Sequence, residues 1–148
     1  MGKPIYNIES SSDGLLYEFE SVGESKIIKK VVIYFPVKYN NDLFELSFGD
    51  LQNDGTINFQ MVSNNQDMAL ILNTVIDTLH LFFELYPSKS VVFTGSSESR
   101  NRLYRAVISK AIKNQNQKFD IFGITFDGIL ESFLPNKNYF AFQICLKS

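Results

Sequence analysis

Between Leu15 and Met61 the chain runs through four stretches of alternating apolar and polar residues, separated by turns of only a few residues. Parallel neighbours need a crossover of a dozen residues or more, so turns this short allow only antiparallel pairing. Leu15–Ser21 sets Tyr17 and Phe19 against Glu18 and Glu20. Lys26–Val37 carries Ile27, Val31, Ile33 and Phe35 on one parity, with Lys29 interrupting the row and Pro36 suited to a strand terminus or a sheet edge. Leu43–Gly49 aligns Phe44, Leu46 and Phe48, and Ile57, Phe59 and Met61 follow the Asn53-Asp54-Gly55 turn. Side chains on a strand alternate faces, so each stretch has one side to bury.

The second half changes period. Met68, Leu72, Val75, Leu79 and Phe82 form a helical stripe that opens at Ser63–Asp67 and stops before Pro87. Ser90–Thr94 is a short apolar strand, Glu98–Asn114 a second helix, Phe119–Ile124 a strand, and Tyr139–Leu146 the last strand. The predicted fold is therefore α+β: a single mostly antiparallel sheet, made of an N-terminal four-strand meander and then α-β-α-β-β, with two helices on one face. Residues 1–148 read as a single domain, with residues 1–14 a loose N-terminal arm.

Composition narrows the function classes. With 148 residues a chain can bury roughly two thirds of its unfolded surface without disulfide or metal staples. A net charge of −2 lacks the basic surplus of a dedicated duplex-DNA binder. The lone Cys145 excludes an internal disulfide and has no cationic neighbour to activate it, and His80, the only histidine, lies mid-helix without a partner motif. No zinc spacing and no cofactor motif are present. Without a basic-then-apolar leader, and with Asn73, Thr74, Asp77, Thr78, His80 and Glu84 in the most apolar stretch, the expectation is a cytoplasmic protein with no membrane span.

One segment carries site chemistry. Gly95-Ser96-Ser97 links a buried strand to a helix, and a helix N-terminus offers free N–H groups and partial positive charge to an anion. At 100° per residue Arg100 falls on the same arc as Tyr104 and Val107, facing the sheet rather than water. A guanidinium there needs an anionic partner, from within the fold (Asp50, Glu18 or Asp67) or from a ligand held with Gly95, Ser96, Ser97 and Tyr104. Arg102, Arg105, Lys110 and Lys113 form an outward row that reads as a solvated face, or as a nucleic-acid contact. The Gly95-Ser96 pair is similar to the loop of nucleotidyltransferases, but the Asp-x-Asp metal pair that family needs is missing, since Phe122 follows Asp120.

Tyr17-Glu18-Phe19-Glu20-Ser21-Val22-Gly23, Ile28-Lys29-Lys30-Val31, Phe48-Gly49-Asp50, Asn64-Asn65-x-Asp67, Asn73-Thr74-Val75, Tyr86-Pro87, Gly95-Ser96, Arg100-x-Arg102-Leu103-Tyr104-Arg105 and Asn138-Tyr139-Phe140-Ala141-Phe142 together resemble an uncharacterised family of small bacterial proteins, about 150 residues long and common in Bacteroidetes. The resemblance implies a shared single-domain fold and no reaction. The functional expectation is a small binding or interaction module with an anion-binding pole at the Gly95 loop and Arg100. Its partner would be an anionic small molecule or another protein, and a homodimer through the second strand is an option. The alternative is a small metal-independent enzyme acting on nucleotide or nucleic acid, resembling a toxin-like nuclease, with Arg100, Tyr104 and a carboxylate such as Asp50 as its machinery.

Overall fold

The computed structural model describes residues 4–59, 65–94, 98–114 and 118–147, with the side chains of 98–100 and 111–114 outside that description. Its elements are β1 (Glu9–Ser10), β2 (Leu16–Val22), β3 (Ile27–Val37), β4 (Asn40–Leu51), β5 (Ile57–Asn58), α1 (Met68–Leu85), β6 (Ser90–Thr94), α2 (Glu98–Asn114), β7 (Phe119–Ile124), β8 (Leu130–Ser132) and β9 (Ala141–Leu146). They form one mixed sheet in the order β1-β2-β3-β4-β6-β9-β7-β8, with β5 added beside the end of β4. All neighbours are antiparallel except β4 and β6, which run parallel with Leu43 opposite Ser90 and Leu46 opposite Phe93. The α+β class and the mostly antiparallel sheet are as the alternation requires.

Both helices lie on one face. From that side the sheet offers Tyr17, Phe19, Val32, Tyr34, Phe44, Leu46, Phe48, Val91, Phe93, Phe142 and Ile144. α1 meets them with Ile71, Leu72, Val75, Leu79 and Phe82, and α2 with Leu103, Tyr104, Val107 and Ile108. The core is rich in rings: Phe82 stacks on Tyr34 at 4.5 Å between centroids and meets Phe44 edge-on at 5.2 Å. Such pairs add about 0.5–1.5 kcal/mol each beyond the area they bury.

The inward parity of β3 is the reverse of the expected one. Val32 and Tyr34 face the helices, whereas Ile27 and Phe35, both in the expected row, are 63% and 44% exposed. Apolar residues occupy both parities of this strand, so alternation within it does not choose a face. The cross-strand partners do: Tyr17 lies opposite Val32, and Phe48 lies opposite Val32 on the other side. Pro36 does not mark an edge either. β3 is flanked by β2 and β4, and the proline is accommodated where the register shifts between Pro36 and Val37. Two-fold pairing through this strand therefore has no free edge to use.

Residues 4–14 of the expected arm are tied down. Glu9 and Ser10 pair with Glu18 and Tyr17, the Tyr6 N–H donates to Thr74 Oγ1 at 3.0 Å, and Asn73 Nδ2 donates to the Pro4 carbonyl at 3.0 Å. The fourth meander strand shortens to Ile57–Asn58, and Met61 lies outside the described residues. β1 and β8 were not legible because two or three residues cannot display a period.

By length and composition α1 passes as a membrane span, with mean hydropathy 1.5. In the fold half of it is buried against the domain. Its polar residues are matched there: Thr78 donates to the Val75 carbonyl at 2.7 Å, which leaves the Tyr34 hydroxyl to donate to Thr78 at 2.8 Å. Burial pushes the Tyr34 phenol well above its usual range.

The register also drives a lysine inward. Lys30 lies between Phe19 and Asp50, is 0% exposed, and places Nζ 2.6 Å from Asp50 Oδ1 and 5.8 Å from the centre of the Phe48 ring. Removing one member of a buried ion pair strands the other charge at a cost of about 3–5 kcal/mol, whereas removing both is often neutral. Asp50→Asn is expected to destabilise by about 3 kcal/mol, and Lys30→Met with Asp50→Asn to recover at least half of that, measured by urea denaturation. A double-variant loss equal to the sum of the separate Asp50→Asn and Lys30→Met losses would show that the two residues are not coupled.

Candidate functional site

The parallel pair sets the geometry. β4 and β6 end on the same side of the sheet, α2 starts from the end of β6, and α1 starts beside Ser21 and Lys26 at the same end. β9 begins and β7 finishes there too, because Ala141 pairs with both Thr94 and Ile124. One pole of the domain thus gathers two helix N-termini, the end of β6 and the loops that follow β4 and β7.

Three of the residues expected to form the site (Gly95, Ser96 and Ser97) lie outside the described residues. Arg100 is in the first turn of α2, and its side chain is likewise outside them. Tyr104 is 3% exposed, and its ring packs 5.5 Å from that of Phe93 as part of the core. Asp50 is held by Lys30. Asp67, at the N-cap position of α1, makes no side-chain cap bond. Its Oδ2 instead accepts from the Tyr6 hydroxyl and from Ser21 Oγ, both at 2.5 Å, while Oδ1 is buried without a hydrogen-bond partner. Burial and this carboxylate raise the Tyr6 phenol pKa. Asn65 completes the group, donating from Nδ2 to Ser21 O at 3.1 Å and to Lys26 O at 3.2 Å.

Glu18 lies toward the other edge of the sheet, on β2, where it lines a cavity of about 400 Å³ with Tyr6, Glu9, Phe19, Glu20 and Lys29. Three carboxylates against one lysine make that cavity a poor host for an anion. Among the described residues no cluster of His, Cys, Asp and Glu is placed to hold a metal ion. Cys145 is half-buried, and burial followed by the Asp120 charge raises its thiol pKa, so little thiolate forms at neutral pH. His80 lies against Phe119 with ring centres 5.1 Å apart.

A second cavity of about 400 Å³ opens at the pole, beside the first two turns of α2, lined by Asn101, Arg102, Arg105, Phe126, Asn138 and Tyr139. Arg105 is not an ordinary solvated residue. Its Nη1 donates to the Pro135 carbonyl at 2.7 Å and its Nη2 to the Lys137 carbonyl. The guanidinium also lies about 6 Å from the Phe133 and Phe142 rings. Asn101 Nδ2 donates to the Tyr139 carbonyl at 3.3 Å, and its Oδ1 is buried without a hydrogen-bond partner. Arg102 is exposed on the rim.

Tyr139 forms the floor. Its hydroxyl donates to Glu131 Oε2 at 2.8 Å and accepts from the Leu134 N–H at 3.0 Å. Burial, then the Glu131 bond, raises its pKa, and the Lys137 ammonium lowers that of Glu131. Phe126 is the exposed wall, in the β7–β8 turn that Gly128 closes at φ +84°. Asn101, Phe126, Asn138 and Tyr139 were not marked as site residues. The available signal was Phe126 itself, a large aromatic in a Thr-Phe-Asp-Gly turn where polar residues are usual.

The floor depends on Gly123. A Cβ there would sit 2.3 Å from Tyr139 Cε1. Overpacking of this kind costs about 1–3 kcal/mol. Gly123→Ala is expected to lower the urea midpoint accordingly and to shift the Tyr139 ring resonances in NMR spectra. Unchanged stability would mean that the ring does not depend on this close approach.

No curated protein and no solved structure matches the chain. Residues 2–147 match a family described as a family of unknown function, DUF6934, and with nearly its whole length covered the chain belongs to that family.

Proposed function

We propose that the chain is a binding module for an anionic ligand, and that the ligand enters the cavity beside the first two turns of α2. The observation that carries this reading is the lining of the cavity: two arginines, two asparagines, a tyrosine and a phenylalanine, with no carboxylate among the described residues. Among those residues, neither arginine forms an ion pair. Arg105 spends two of its donors on carbonyls, which fix its plane without neutralising its charge. A fixed guanidinium is already oriented for phosphate or carboxylate oxygens, which limits the ordering cost of binding.

This reading keeps the expected pole and moves its centre. The Gly95 loop and the Arg100 side chain lie outside the described residues, and their part in the anion site rests on the sequence alone. The descriptions of Tyr104 and Asp50 favour binding over a metal-independent nuclease or nucleotide-processing enzyme. The tyrosine ring is in the core and the carboxylate faces a lysine, and the cavity lining supplies no histidine or carboxylate as general base.

Isothermal titration with inorganic pyrophosphate tests the proposal. The wild type is expected to bind and to lose affinity as salt rises. Removing one charge-assisted contact costs about 1.5–3 kcal/mol, so Arg102→Ala is expected to weaken binding by roughly ten- to a hundredfold. Arg100→Ala run in parallel measures the contribution of the Gly95 loop side. No heat of binding in the wild type, or equal affinity in all three proteins, would reject the site.

A further inference from the structure

The same cavity has features that a bare anion does not use. Phe126 is 71% exposed, yet it is a wall of the cavity and not an isolated surface ring. Phe140 supports it edge-on with ring centres 6.2 Å apart, and is itself 54% exposed. The turn Thr125–Gly128 holds its base firmly, with Thr125 N–H donating to Ile129 O and Gly128 N–H to Thr125 O, each at 2.9 Å. A large ring on a braced turn is held at the wall of the cavity, within reach of whatever enters. Asn101 lines the same cavity, with its amide nitrogen committed to the Tyr139 carbonyl.

From these features we infer that the ligand is a nucleotide, with its base against Phe126 and its phosphate at Arg102 and Arg105. The inference rests on the anion site proposed above and adds the ring to it. The size agrees, since small-molecule sites run from about 300 to 1,000 Å³ and this one holds about 400 Å³. Exposed aromatic rings beside arginines are how proteins hold unpaired bases, because every base has a face to stack while the cation meets the phosphate. The same chemistry is offered by a free mononucleotide and by one nucleotide of a single strand.

The test titrates the full chain with ribose 5-phosphate, with the four ribonucleoside 5′-monophosphates and with a mixed single-stranded RNA octanucleotide. At least one monophosphate is expected to bind about tenfold more tightly than ribose 5-phosphate, a gain in the range of one base stacked on one ring. Phe126→Ala is expected to bring every monophosphate to the affinity that the same variant has for ribose 5-phosphate, Phe126→Tyr to retain the gain, and Arg102→Ala to weaken every ligand. Since Phe126 is exposed, its variants are expected to melt within a few degrees of the wild type. Equal binding of ribose 5-phosphate and all nucleotides would overturn the base contact while leaving the anion site intact. Absence of binding by every ligand would overturn both. An octanucleotide much tighter than any monomer identifies a single strand as the source, and parity with the best monomer identifies a free nucleotide.

Discussion

The parallel pairing of β4 with β6 is the constraint on which the rest of the molecule depends. It joins the N-terminal meander to the β6-β9-β7-β8 half of the sheet, and it is the only parallel contact among the described strands. Parallel neighbours cannot be joined by a tight turn, so the chain must travel the length of the sheet between them, and α1 makes that return. The direction of β6 then fixes where α2 starts. Because β4 and β6 end together, both helices begin at one pole, and that pole collects orphan helix N–H groups and loop residues without any further design. A purely antiparallel continuation would have scattered these ends over both sides.

The polar groups at that pole divide by sheet position. Near the meander, Lys30 and Asp50 satisfy each other in the core, and Tyr6, Ser21, Asn65 and Asp67 link the N-terminal segment, β2 and the start of α1. Toward the other edge, Arg102 and Arg105 face a cavity lined by no carboxylate among the described residues. The cavity beside β2 has the opposite balance, with Glu9, Glu18 and Glu20 against Lys29. A net charge of −2 therefore averages over an acidic edge and a basic pole, and it describes neither. At physiological salt, charges further apart than about 8 Å are largely screened, so an arriving anion responds to the local lining and not to the sum.

Much of the fold was legible because its period was long enough to read. The Tyr17/Phe19 and Phe44/Leu46/Phe48 rows, the α1 stripe from Leu72 to Phe82 and the Leu103–Ile108 face of α2 bury as their spacing requires, whereas Met68, the first residue of the stripe, is 41% exposed. β3 was misread because Val31, Val32, Ile33, Tyr34 and Phe35 are apolar without a break, so its inward face is set by partners distant in sequence. That misreading hid Lys30. A lysine on the inward parity looks like an error until the strand opposite is known to bring Asp50 to it. The N-terminal segment was taken as loose because Ser10–Gly14 is rich in turn residues, and local composition says nothing of Thr74 and Asn73 waiting on α1.

The candidate site was half legible for a similar reason. Helical phase assigned the row Arg102, Arg105, Lys110 and Lys113 to open water or a nucleic-acid contact, which is sound for a helix on a bare surface, and Arg102 is exposed. The fold does not leave that surface bare. The 133–139 segment returns beneath Arg105, its carbonyls take two guanidinium donors, and Phe133 and Phe142 cover the cation. Phase gives a direction from the helix axis, but the sequence does not say what stands in that direction. Arg100 was singled out because its direction pointed at the sheet. Arg105 acquires the same character, a cation with a fixed plane and no carboxylate partner among the described residues, from a loop thirty residues further along the chain. An unneutralised guanidinium so anchored is more useful to a ligand than one sealed by a carboxylate, because its ordering has been completed before the anion arrives.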